Sequence, residues 1–127
     1  MTQKKVLAVD DEPEVLTLLE KRLAASGYEV VTASNGKDAI EIAKRELPDL
    51  IIMDILMPDM DGSQTAARLH DEPETKKIPI LFLTCLFTKR EERLEGHEIG
   101  PNFFVAKPYD PKELLSEIHK IIGTSSL

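Results

Sequence analysis

Residues 51–62 read IIMDILMPDMDG. With Leu50 in front, the run LIIMD (50–54) is apolar at every position until it closes on an acid. A strand that is apolar at odd and even positions alike is one covered on both faces, and such strands sit in parallel sheets between layers of helix. This stretch therefore sets the architecture as α/β. Its end poses the functional question. Asp54 places a carboxylate at the carboxyl end of a core strand, and Met-Pro-Asp-Met-Asp-Gly follows, in which Pro58 and Gly62 shape a loop.

Four more short apolar runs lie on either side: KKVLAVD (4–10), YEVVTA (28–33), IPILFLT (78–84) and NFFVA (102–106). Longer amphipathic stretches separate them. In PEVLTLLEKRLAASG (13–27), Leu16, Leu19 and Leu23 share one helical face, with Pro13 suited to a first turn and Gly27 to a stop. Ala39, Ile40 and Ala43 repeat the pattern between the second and third strands. In DPKELLSEIHKIIG (110–123), Asp110 and Glu113 form a capping-box-like pair around Pro111, and Leu114, Leu115, Ile118, Ile121 and Ile122 form the apolar stripe. The weakest helix is TKREERLEGHEIG (88–100), which is charged, poor in apolar residues and interrupted by Gly96. Five strand–helix units predict a doubly wound, five-stranded parallel sheet of order 2-1-3-4-5 with five helices. In such sheets ligands bind outside the carboxyl ends of the strands, at the switch point between strands one and three. Asp10 and Asp11 end the first strand and Asp54 ends the third, so three acids converge where a site belongs.

Composition narrows what that site serves. A chain of 127 residues suits one domain with a single core, here residues 1–123 with a short tail at 124–127. The net charge of −7 removes the electrostatic attraction that drives binding to phosphate backbones, so no direct nucleic-acid partner is expected. The one cysteine, Cys85, excludes an intramolecular disulfide. No segment reaches the ~20 apolar residues of a membrane span, and the amino terminus lacks the pattern of a signal peptide, so a cytoplasmic location is expected.

Each acid has an ordinary use. Asp11 or Glu12 before Pro13 can cap the first helix, and Asp54 can begin a turn. Three carboxylates in one crevice, however, repel one another unless a cation neutralises them, and a hard divalent ion with oxygen ligands does so. Mg²⁺ suits the role because it accepts carboxylates together with a phosphate and retained waters. The fourth strand ends at Thr84 and the fifth runs into Lys107 and Pro108, which adds a hydroxyl and an ammonium to the same rim. Acids, hydroxyl and ammonium around one cavity read as phosphoryl chemistry, with Asp54 as carboxylate nucleophile and Thr84 and Lys107 holding phosphoryl oxygens. His70, His97 and His119 lack metal-ligand spacing and are expected to face solvent. Cys85 and the methionines at 53, 57 and 60 are expected to be packing residues.

AVDDEP, IIMDILMPDMDG, FLT and FFVAKPY, in this order and at these spacings, resemble the receiver domain of two-component response regulators over essentially the whole chain. The resemblance implies a flavodoxin-like (βα)5 fold in which Asp54 accepts a phosphoryl group from a histidine kinase or a histidine phosphotransfer protein. It also implies that Asp11, Asp54 and the backbone carbonyl of Leu56 ligate Mg²⁺, with Asp10 acting through water. Thr84 and Phe104 would be switch residues, Lys107 would pair with the phosphoryl group, and the Lys107–Pro108 peptide would be cis. The output would be a changed face of the fourth helix, fifth strand and fifth helix, presented to a downstream protein whose identity the sequence leaves unknown. Such a protein catalyses only its own phosphorylation and dephosphorylation.

The departures from the family pattern are local. Phe104 lacks the hydroxyl of the Tyr that many members carry, Phe103 replaces a frequent acid, and Glu117 stands where one DNA-binding subfamily often has Arg. That subfamily's dimer-holding charge pairs are therefore not expected. Only TSSL follows Gly123, which favours a stand-alone receiver over one cut from a longer protein. A haloacid-dehalogenase-type aspartyl-phosphate hydrolase is the alternative, but that family needs a second Asp two residues on, and the position holds Leu56. A flavin or nucleotide carrier would need a Gly-rich phosphate loop where this chain has DDEP.

Overall fold

The computed structural model describes residues 4–54, 62–84, 103–106 and 111–123. Five strands, β1 (Lys5–Val9), β2 (Glu29–Ala33), β3 (Leu50–Asp54), β4 (Ile80–Thr84) and β5 (Phe103–Ala106), form one sheet of order β2-β1-β3-β4-β5. Every neighbouring pair is parallel. Four helices are described: α1 (Pro13–Ala25), α2 (Gly36–Glu46), α3 (Gly62–Asp71) and α4 (Pro111–Ile122). The predicted helix at 88–100 and Asp110 of the predicted capping pair lie outside the described residues. Among the described residues no helix is long and apolar enough to cross a membrane.

Alternation along the strands divides the core in two. Leu7 and Val9, Ile51 and Met53, and Ile80 and Phe82 point to one face, where α2 and α3 cover them with Ala39, Ala43, Ala66 and Leu69. Val6 and Ala8, Leu50 and Ile52, and Leu81 and Leu83 point to the other, under Leu19 and Leu23 of α1 and Leu114 and Ile118 of α4. This is the two-sided burial that makes the strands read as unbroken apolar runs. The expected stripes largely hold. Leu16, Ile40, Leu115, Ile121 and Ile122 are partly buried against their clusters.

Helix ends follow local chemistry. Asn35 caps α2: its side-chain oxygen accepts the Asp38 N–H at 2.8 Å, and its amide donates to the Asp38 carboxylate at 3.1 Å. The same helix ends on Leu47 at φ 47° and ψ 61°, a left-handed conformation in which a Cβ is strained. Leu47 is 55% exposed, so its side chain contributes little to the core. Leu47→Gly is therefore expected to raise the unfolding free energy by about 0.5–1 kcal/mol, the relieved strain exceeding the entropy glycine adds to the unfolded chain. Urea denaturation measures this, and an unchanged or lower midpoint would show that the strain is absent.

At the amino-terminal edge of the sheet, Lys5 joins three elements. Its N–H donates to Asp49 Oδ2 at 2.8 Å, and its ammonium reaches Glu46 Oε1 at 2.9 Å and Glu29 at 3.7 Å. The Glu46 hydrogen bond raises the Lys5 pKa and lowers that of Glu46. The end of α2 and the start of β3 are thereby fixed to β1, which leaves the opposite, carboxyl-terminal edge for the site.

Candidate functional site

β1 and β3 are neighbours, and the register pairs Val9 with Met53. One residue further on each strand stand Asp10 and Asp54. This is the position in a doubly wound sheet where the order reverses, β2 lying on one side of β1 and β3 on the other.

Asp10 lies just past the end of β1, although its N–H still donates to Ala33 O of β2 at 3.2 Å. The residue is only 1% exposed. Its Oδ1 accepts the Glu12 N–H at 2.9 Å, so the buried carboxylate shapes the three-residue link between β1 and α1. Glu12 is the N-cap of α1 in extended conformation, with Pro13 next, but its side chain makes no capping bond. Glu12 therefore does not cap the helix through its side chain. Instead, carboxylate oxygens of Asp10, Asp11 and Glu12 lie within 4.8 Å of one another, with Asp11 and Glu12 exposed. Glu12 is the member of this group that the sequence reading took only as a cap.

Asp54 is half-buried at the end of β3, where it pairs with Leu83 of β4. Among the described residues it is not part of the tight three-acid group but faces the same edge from the adjoining strand. The backbone of Thr84 ends β4 beside Ala106 of β5, and Phe104 pairs with Phe82 in mid-strand. Leu56, Lys107 and Pro108 lie outside the described residues, as do Cys85, His97, Met57 and Met60. His119 is exposed as expected, and Met53 is buried. His70 departs from expectation: it is half-buried in the last turn of α3, and its Nε2 is shut off from solvent with no hydrogen-bond partner among the described residues.

The donor set fits a hard divalent cation. It consists of carboxylate oxygens alone, one of them buried, and a buried carboxylate is stable only where charge or hydrogen bonds compensate it. An anion would be repelled, which agrees with the absence of a glycine-rich turn between β1 and α1.

A family model described as the response regulator receiver domain matches residues 6–119. The chain is 38% identical over 126 residues to the alkaline phosphatase synthesis transcriptional regulatory protein PhoP of Bacillus subtilis, covering 98% of this chain and 50% of that protein. The chain spans about half the length of the curated relatives it matches. Among solved structures, the chemotaxis protein CheY4 of Vibrio cholerae superposes with a TM-score of 0.85 at 32% identity, covering 94% of this chain and 99% of that one. The receiver domain of a sensor histidine kinase from Pseudomonas aeruginosa gives 0.83 at 28% identity, with 97% and 100% covered, and holds a magnesium ion coordinated in its active-site cleft.

Proposed function

Because the chain belongs to the response regulator receiver domain family, we propose that Asp54 is its phosphoacceptor and that Mg²⁺ is held beside it by Asp11, Asp54 and the Leu56 carbonyl, with Asp10 acting through water. A receiver domain is a signalling module of two-component systems, phosphorylated on an aspartate with Mg²⁺ in the cleft, and not a catalytic enzyme in its own right. The observation that carries the assignment is the placement of Asp10 and Asp54 one residue beyond the Val9–Met53 pair, at the switch point of the sheet.

The residues divide the work. An Asp54 oxygen attacks phosphorus, and the phosphorus–nitrogen bond of the donor's phosphohistidine breaks with its electron pair returning to the imidazole. The fixed end of β3 holds the nucleophile in line, which lowers the entropic part of the barrier. The metal, when bound, spreads the charge that builds on the phosphoryl oxygens. Thr84 and Lys107 then hold those oxygens from the ends of β4 and β5, and Phe104 repacks as the switch aromatic before a cis Lys107–Pro108 bond.

The phosphodonor is a histidine kinase or histidine phosphotransfer protein in the cytoplasm. The acceptor of the signal is a protein, since a net charge of −7 disfavours direct contact with nucleic acid. The test is incubation with acetyl phosphate and Mg²⁺ followed by intact-mass spectrometry. One phosphoryl group is expected, and none after the metal is chelated. Failure to label with acetyl phosphate and with a phosphorylated histidine donor alike would sink the assignment.

A further inference from the structure

Tyr28 is a large polar residue in the core that the site does not use. It stands between Gly27, at φ 95°, and the first residue of β2, and its N–H donates to Leu23 O at 3.1 Å. The ring is 5% exposed, in the cluster with Leu19, Leu23, Leu114 and Ile118, so it is gripped by both α1 and α4. Its hydroxyl emerges on the far side of that cluster and donates to the carbonyl of Gly123 at 3.1 Å, across 95 residues of sequence.

Gly123 is where α4 stops. Its N–H donates to His119 O at 2.8 Å, and its φ of 81° turns the chain out of the helix. A Cβ at this glycine would meet nothing, so its need for glycine comes from the backbone angle and not from crowding. Carbonyls at the end of a helix lack partners within it, and a side-chain hydroxyl held rigidly in the core supplies one.

We propose that Tyr28 is a latch: its hydroxyl pins the carboxyl end of α4, and with it the point from which residues 124–127 continue, to the corner between α1 and β2. Tyr28 directly precedes Glu29, which pairs with Lys5 at the start of β1, so the latch lies on the amino-terminal edge of the sheet. The acids lie on the opposite edge. Helix α4 thus has one end tied at a fixed height, and a rearrangement at the acid edge reaches the chain beyond Gly123 only by tilting the helix about that tied end. Burial pushes the Tyr28 phenol up from its ordinary value, so the hydroxyl keeps its proton further into the alkaline range. The inference is independent of the phosphoacceptor assignment and stands whether or not Asp54 is labelled.

Tyr28→Phe keeps the ring and removes the donor. In the full chain, native-state hydrogen exchange should show the amides of Ile121, Ile122 and Gly123 accelerating about five-fold, the effect of one neutral hydrogen bond. The amides of Val6–Ala8 should accelerate by no more than the same factor, since the native state is raised equally against every opened state that lacks the bond. Trypsin should cut after the exposed Lys120 faster in the variant by a similar factor. In the wild type, the Tyr28 hydroxyl proton should be protected enough to be seen by NMR close to Gly123, a readout that needs no variant. Unchanged exchange at residues 121–123, with or without acceleration in β1, or an unprotected hydroxyl proton, would overturn the latch and leave Tyr28 as core packing.

Discussion

Asp54→Asn, incubated with acetyl phosphate and Mg²⁺ under conditions that label the wild type with one phosphoryl group, takes up none. The amide matches the carboxylate in shape, so β3 and its pairing with Leu83 are unaffected, but the amide oxygen is a far weaker nucleophile than a carboxylate. The fold should not suffer. Asp54 sits at the edge that also carries Asp10, Asp11 and Glu12, and removing one negative charge from that edge relieves repulsion. The thermal midpoint in the absence of metal is therefore expected to stay level or to rise. Together these outcomes separate loss of the acceptor from loss of the structure. Undiminished labelling would move the acceptor to another acid in the same segment, Asp59 or Asp61.

Much of this arrangement was legible because one physical rule, burial of the strands on both faces, writes itself into every strand. β3 has the bounds its apolar run predicts, and the other four strands lie within one or two residues of theirs at either end. The first strand shows why the ends drift. The apolar run predicts Asp10 as its last residue, whereas β1 ends at Val9 and the Asp10 side chain organises the entry into α1. Local chemistry also marked α1 from Pro13, which stands at its first turn. Contacts between distant residues could not be read this way. Nothing near Tyr28 in the sequence points to Gly123, and nothing near Lys5 points to Glu46. Glu12 was missed for a different reason: an acid before a helix has a common use as a cap, and only coordinates show that this one makes no capping bond. His70 is expected in solvent because it lacks metal-ligand spacing to the other histidines, a signal that says nothing of burial, and the structure half-buries it in α3 with its Nε2 shut off from solvent.

The two faces of the sheet are filled differently, and this sets where the fold is most easily broken. Under α1 and α4 both layers supply bulk, Leu19, Leu23, Leu114 and Ile118 from the helices and Leu50, Ile52, Leu81 and Leu83 from the strands. Under α2 and α3 the helices present mainly alanines, Ala39, Ala43 and Ala66, and the sheet supplies the bulk. Phe82 is the largest side chain there, 1% exposed, on β4 between Met53 of β3 and Phe104 of β5. Truncating it leaves a cavity that the alanines opposite cannot reach into, and the neighbouring strands are held in register by their ladders. Phe82→Ala is thus expected to cost about 3–5 kcal/mol, a large part of the roughly 5–15 kcal/mol that stabilises a domain. Phe82→Leu, which keeps most of the volume, should cost less than half as much. Because β4 ends at Thr84 on the site edge, the alanine variant should also lose phosphoryl uptake in proportion to the unfolded fraction and regain it at lower temperature. Urea denaturation of the three proteins decides the matter. A loss below about 1.5 kcal/mol for the alanine variant would mean that α2 and α3 settle onto the sheet and close the cavity.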